Sequence, residues 1–385
     1  MNNNDYNYQN RDGQKEEIRF DDCDFGNPYS KYYRSPNQNG FGADFEVDEE
    51  PIYDPPVLID EEKEKRNLSR IGVGYALYTV IGTLSAVLIY LIVYYTSPAF
   101  IETALFKNLL TPVSMYLFAL PVLLMILSKC EAKPPEKKKL GFGAFMIFLI
   151  TAFGFMYIGA IIGDYVMELF SYSFGYEYNN AIDSLIDYDN LLITAVYMVV
   201  VAPVCEEFVF RKLLIDRTHK YGGFVSIGLS ALMFGLMHGN IYQLIYGFSV
   251  GLLLGYIYYS TGKLYITIAI HSILNFVGSV IPALLSPVTD ALASIDPNDT
   301  AGFFAFIDAN LWLVLAVLAF SVFIYAAMAC GVIFPIAFRK KLKFRRGELE
   351  LPRKKIVPIV VLNYGIIAMI LLYLYEIGSS LIPPN

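Results

Sequence analysis

Nine runs of mostly apolar residues, each near the ~20 residues a helix needs to cross bilayer hydrocarbon, leave this 385-residue chain few folds to choose from. They lie at about 71–95, 109–127, 142–163, 191–213, 223–240, 243–260, 264–285, 311–338 and 356–376. In hydrocarbon, each backbone N–H and C=O must find its partner within the protein, so such runs become helices. The expected fold class is therefore all-α: a polytopic integral membrane helix bundle with about nine transmembrane helices. Composition agrees, since 56% hydrophobic residues, 17% charged residues and a mean hydropathy of +0.47 fit a soluble globular enzyme poorly.

Charge then orients the bundle, because cytoplasmic loops collect Lys and Arg. Bases occur before the first run (Lys63, Lys65, Arg66, Arg70), after the second (Lys129 to Lys139), after the fourth (Arg217, Lys220), after the sixth (Lys263) and after the eighth (RKKLKFRR, then PRKK). The alternate connections are nearly free of them: 97–108 holds only Lys107, while 164–190 and 286–310 hold none. Nine spans with a cytoplasmic N-terminus and an outside C-terminus satisfy each connection. No basic segment with a short apolar core opens the chain, so the first span itself is expected to direct insertion.

The net charge of −7 conceals a division. Residues 1–62 carry 16 acids and 5 bases, a balance of −11, which leaves +4 for the remainder. That tail is rich in Asn, Asp, Gln, Gly and Tyr and buries too little apolar surface to fold alone, so 1–62 reads as a disordered acidic cytoplasmic tail. Residues 63–187 then hold transmembrane helices 1–3. Residues 188–285 hold helices 4–7 and, as argued below, a catalytic core, and 286–385 hold helices 8–9 with a basic cytoplasmic loop. The bases form no single stripe, so no nucleic-acid partner is expected. Cys23, Cys130, Cys205 and Cys330 show neither CxxC pairing nor a disulfide spacing.

Ionisable groups are costly in hydrocarbon and mark function there. Six of the nine runs contain none before their ends, and the deeply placed ones fall between positions 206 and 271. Glu207 and Arg211 are four apart with the acid first, a pairing register on a helix. Glu206 points about 100° away and remains available, suited to accept and return a proton. Pro203, one turn earlier, should kink or widen this helix. A solvated charge cluster at a helix end is an equal reading of the segment alone. His238 follows Phe234 by four and precedes Gly239 and Asn240; a lone helical histidine is more often structural. His271 and Asn275 share a face and could donate to one developing oxyanion, or bond each other or a neighbouring carbonyl. Glycines at 235, 247, 251 and 255 suggest close helix packing.

Taken together, Glu206-Glu207-x-x-x-Arg211, Phe234-x-x-x-His238 and His271-x-x-x-Asn275, in this order, resemble the motif set of the CPBP family. These are CAAX proteases and bacteriocin-processing enzymes, relatives of the type II CAAX prenyl endopeptidase, also called the Abi group. The resemblance covers about residues 190–282. It implies an intramembrane endopeptidase acting on a membrane-associated peptide, prenylated CAAX-type or bacteriocin-like, in a bacterial plasma membrane. Glu206 would be the general base with His238 sharing that role, Glu207 would be held by Arg211, and His271 with Asn275 would stabilise the oxyanion. No cofactor is firmly implied. Family members are often labelled metalloproteases, and Glu206, His238 and His271 are the ligand candidates if Zn2+ is bound, although no HExxH occurs.

Two other classes compete. A bacteriocin self-immunity or scaffold protein would use the same residues as a buried polar network, and a transporter would relay protons through them. Depth poses a geometric difficulty: on a vertical fifth helix His238 lies too far from the cytoplasmic end to meet Glu206 and His271. The mechanism requires all three to line one cavity.

Overall fold

The computed structural model describes residues 7–9, 15–17, 60–176, 191–340, 342, 347–349 and 353–382. The chain divides into two units, Met1–Pro56 and Val57–Asn385. In the first, β1 (Asn7–Gln9) pairs antiparallel with β2 (Lys15–Glu17), with Tyr8 opposite Glu16. The disorder expected of the tail concerns positions that otherwise lie outside the described residues up to Asp60.

In the second unit, seven described helices are long and apolar enough to cross a membrane. They are α1 (Glu61–Thr96), α2 (Ala104–Leu127), α3 (Phe142–Phe174), α4 (Leu191–Tyr221), α6 (Ile241–Thr261), α7 (Leu264–Ala293) and α9 (Leu311–Ala337). Between them stand two shorter apolar helices, α5 (Gly223–Met237) and α8 (Thr300–Ala309). Last come α10 (Lys354–Val361) and α11 (Tyr364–Ser380), bent by 70° at their junction. The nine expected runs thus become seven unbroken spans, one bent pair and α5. With 15 residues at ~1.5 Å rise, α5 is about 22 Å long, short of the ~30 Å hydrocarbon.

Helices α5 and α6 form a hairpin whose turn is His238–Asn240, with Gly239 at φ 65°. A side chain at Gly251 would begin 3.0 Å from the Cα of Ala231, and one at Gly255 3.3 Å from Ile227, so the spaced glycines do bring these helices close. α6 packs on α5 and on α3, α3 also packs on α9, and α1 packs on α2 and α11.

Three helices share one device. The turns Val113–Ala119, Val196–Val201 and Phe276–Val280 are widened, and the next residue but one is in each case proline: Pro121, Pro203 and Pro282. Leu120, Ala202 and Ile281 donate their N–H five residues back, to Met115, Tyr197 and Phe276. A proline ring clashes with the carbonyl four residues earlier, and an extra residue in the turn relieves that clash. The widening expected at Pro203 is present.

The basic connections meet on one face. Arg70 Nη1 donates to Lys129 O (3.4 Å), Lys133 N to Asp216 O (2.7 Å), Lys138 N to Thr261 O (2.8 Å) and Leu349 N to Lys220 O (2.8 Å). Lys355 pairs with Glu61 at 3.1 Å and Lys220 with Glu64 at 2.8 Å. The segments before α1 and after α2, α4, α6 and α9 are therefore neighbours, as loops on one side of a bilayer must be.

Candidate active site

The site begins with two adjacent carboxylates given unlike surroundings by helix rotation. The Glu207 side chain is fully buried beside Arg211, likewise fully buried, at 3.1 Å. Arg211 Nη1 donates to Ser230 Oγ at 3.2 Å, and its guanidinium lies 4.5 Å from the centre of the Phe234 ring, a favourable seat for a desolvated cation. The Glu206 side chain, 16% exposed, faces a cavity of about 410 Å³.

Glu207 has a second partner. His271 Nδ1 stands 3.0 Å from its Oε1 and acts as donor to it. The opposite ring nitrogen, Nε2, is then turned to Glu206 Oε2 at 3.7 Å. One buried carboxylate thus joins the EExxxR helix to α7 and sets the histidine's orientation. Sequence spacing foresaw the Arg211 partner of Glu207 but not this one.

His238 ends α5 and packs edge-on to Phe234, ring centres 5.1 Å apart; Phe234 is also edge-on to His271 at 5.7 Å. His238 Nδ1 bonds the Phe234 carbonyl at 2.8 Å. The difficulty of depth disappears because α4 continues to Tyr221 and reverses at Gly222, φ 88°. Gly222 stands midway in sequence between Glu206 and His238, so the two arms of this corner carry them to the same level. Glu206, His238, His271 and Asn275 all line the one cavity.

Asn275 follows the neighbouring-carbonyl reading: its Nδ2 donates to Met198 O at 2.8 Å. Met198 lies five residues before Pro203, in the widened turn, where the donor that register calls for is the N–H proline lacks. The amide of α7 supplies what α4 cannot. His219 instead lies 4.7 Å from the Tyr259 ring near the basic face, and Cys205 is not among the cavity-lining residues.

Other lining residues come from outside the motifs. Tyr78 and Thr79 of α1, Tyr116 of α2 and Glu376 of α11 close the chamber. Glu376 was not foreseen, because a single acid ending an apolar run looks like any residue at a membrane interface. Its only sequence signal is being the one carboxylate between α10 and the chain's end.

Zinc would need at least three converging ligands. Among the described residues, no group of three or more His, Cys, Asp or Glu side chains is placed to hold a metal ion. Glu206 and His271 approach each other at 3.7 Å, and His238, with Nδ1 held by the Phe234 carbonyl, has Nε2 free, but the three do not converge on one point. Among the described residues, no ligand set for zinc is preassembled.

Comparison with known proteins agrees with the motifs. Residues 188–277 match the family described as Type II CAAX prenyl endopeptidase Rce1-like. A 77-residue stretch is 27% identical to "Putative membrane peptidase YdiL" of Bacillus subtilis (strain 168), covering 20% of this chain and 32% of that protein. The chain thus spans about a third of the length of that curated relative. No solved structure matches it.

Proposed function

We propose that this integral membrane protein is an intramembrane endopeptidase in which Glu206 activates water against a peptide bond of a membrane-associated substrate. The observation that carries the reading is the shared cavity: Glu206, His238 and His271 line it, while Glu207 holds His271 at 3.0 Å and Arg211 at 3.1 Å behind it. Glu206 takes a proton from the water as its oxygen attacks the scissile carbonyl, with His238 helping to hold that water. His271, acting as an imidazolium, keeps its Nδ1–H on Glu207 and donates from Nε2 to the developing oxyanion. Glu206 then returns the proton to the departing amine nitrogen as the C–N bond breaks. Glu207 and Arg211 position; they do not meet the substrate. Asn275 ties α7 to α4 and keeps one N–H for the oxyanion.

The substrate is a peptide held at the membrane, with prenylated CAAX-type and bacteriocin-like peptides as the two classes that the family resemblance suggests. The basic face is the cytoplasmic one by the distribution of Lys and Arg. A transporter is less well supported, since paired discontinuous helices in two related halves would be needed, and among the described residues one bent pair is present.

Glu206→Gln tests the reading with little change in volume. In purified protein of unchanged thermal stability, it is expected to reduce cleavage of a membrane peptide by about 10²-fold or more. Cleavage undiminished in that variant would overturn the assignment and leave the polar network as a structural feature.

A further inference from the structure

Glu376 stands in the reaction chamber without a partner. Among the described residues its carboxylate makes no hydrogen bond or ion pair, and the one side-chain group bonded to it, Ser379 Oγ, donates to its backbone carbonyl at 2.7 Å. The side chain is partly buried and lines the same cavity as Glu206, His238 and His271. It also touches the turn that carries His238: a Cβ placed on Gly239 would lie 3.8 Å from Glu376 Cβ and 3.9 Å from its Oε2.

Its position is fixed from both ends of α11. Asn363 caps the helix, its Oδ1 accepting from Ile366 N at 3.0 Å. Tyr373, one turn before Glu376 and fully buried, accepts from Thr79 Oγ1 of α1 at 3.0 Å. These contacts fix the stretch of backbone from which Glu376 projects.

The charges of the chamber are one-sided. Its carboxylates and histidines are Glu206, Glu376, His238 and His271, its other titratable groups are tyrosines, and no Lys or Arg is among the described residues that line it. Arg211 lies behind the wall, committed to Glu207 and Ser230. A carboxylate withdrawn from water without a counter-charge is costly, and an arriving cation offsets that cost. A ligand that brings its own carboxylate into the same space meets repulsion instead.

We propose that Glu376 is a specificity-determining residue that seats a lysine or arginine side chain of the substrate beside the scissile bond. The proposal builds on the peptidase reading for what is bound, but its own content is a binding preference. Glu376 performs no proton transfer in it. The chamber receives a basic residue within an otherwise apolar, membrane-held peptide.

The test uses the full-length protein in detergent micelles and three apolar peptides of about 20 residues that differ by a central Lys, Gln or Glu. Binding is measured in the Glu206→Gln background and cleavage with Glu206 intact. The Lys peptide is expected to bind at least tenfold more tightly than the Gln peptide. Glu376→Gln should bring that ratio to within about threefold, and Glu376→Lys should turn the preference toward the Glu peptide, tenfold corresponding to about 1.4 kcal/mol. Equal binding of Lys and Gln peptides, or a Lys preference that survives Glu376→Gln in folded protein, overturns the proposal. Binding preference without any cleavage would sink the peptidase reading alone, and cleavage without preference would sink the role of Glu376 alone.

Discussion

The side-chain amide of Asn275 donates to the main-chain carbonyl of Met198 at 2.8 Å, across two helices, at the turn widened ahead of Pro203. Losing that donor leaves a carbonyl unpaired inside an apolar bundle, a cost of about 1–3 kcal/mol. Asn275→Ala should therefore lower stability in detergent by that amount. Pro203→Ala restores an N–H to the turn, so the penalty for Asn275→Ala should shrink in that background. A double-mutant cycle by chemical unfolding measures the coupling; strictly additive losses would show that the two residues act separately.

The Glu207–Arg211 pair is fully buried, so removing either charge strands the other. Arg211→Met or Glu207→Leu alone should cost about 3–5 kcal/mol, while the double replacement should recover most of the loss. Thermal unfolding in detergent reads this directly. Activity is expected to stay low in the double variant, because His271 then lacks the acceptor for its Nδ1–H.

Metal removal should leave turnover intact. No three ligand side chains converge among the described residues, and the proposed chemistry runs through the carboxylate. Incubation with 1,10-phenanthroline followed by dialysis is expected to leave the cleavage rate within about twofold of its starting value. A loss reversed by added Zn2+ would mean that substrate binding assembles a ligand set and that water is activated by metal.

Cys130 offers a pH-dependent reporter on the basic face. Burial pushes its thiol up, opposed by the nearby Arg70, and the side chain is almost inaccessible at 6%. The reactive thiolate therefore forms only at higher pH than in a free cysteine. In a variant with Cys23, Cys205 and Cys330 replaced by Ser, maleimide labelling should be slow at neutral pH and accelerate on the alkaline side. Lys137→Cys, on the exposed part of the same loop, should label fast at neutral pH, and from the cytoplasmic side. Labelling of Lys137→Cys from the opposite side would invert the topology.

Local chemistry accounts for what could be read ahead of the fold. The Glu207–Arg211 pair follows from helix periodicity, and Pro203 announces its own wide turn. Apolar length alone suffices for α1, α3 and α9, and the alternation of Lys and Arg anticipated which loops would be neighbours. Relations set by tertiary packing were not legible. The contact of Glu207 with His271 joins residues far apart in the chain. Helix α5 looks like a span because the apolar run 223–240 passes through the turn at His238–Asn240, so the glycine and asparagine that end the helix fall inside the run. Glu376 stayed hidden because an acid at the end of an apolar run carries no sign of whether it turns outward or in.

The corner at Gly222 works as a pair of equal callipers. Glu206 and His238 face one cavity because the two legs have the same length, so a change of even one residue between them should shift one tip relative to the other. A single insertion in either leg would advance its tip by about 1.5 Å and turn it by about 100°, enough to aim a reacting side chain at a wall. Variation in length should therefore be tolerated before Leu191 and in the connection after Ala293, and refused between the two tips.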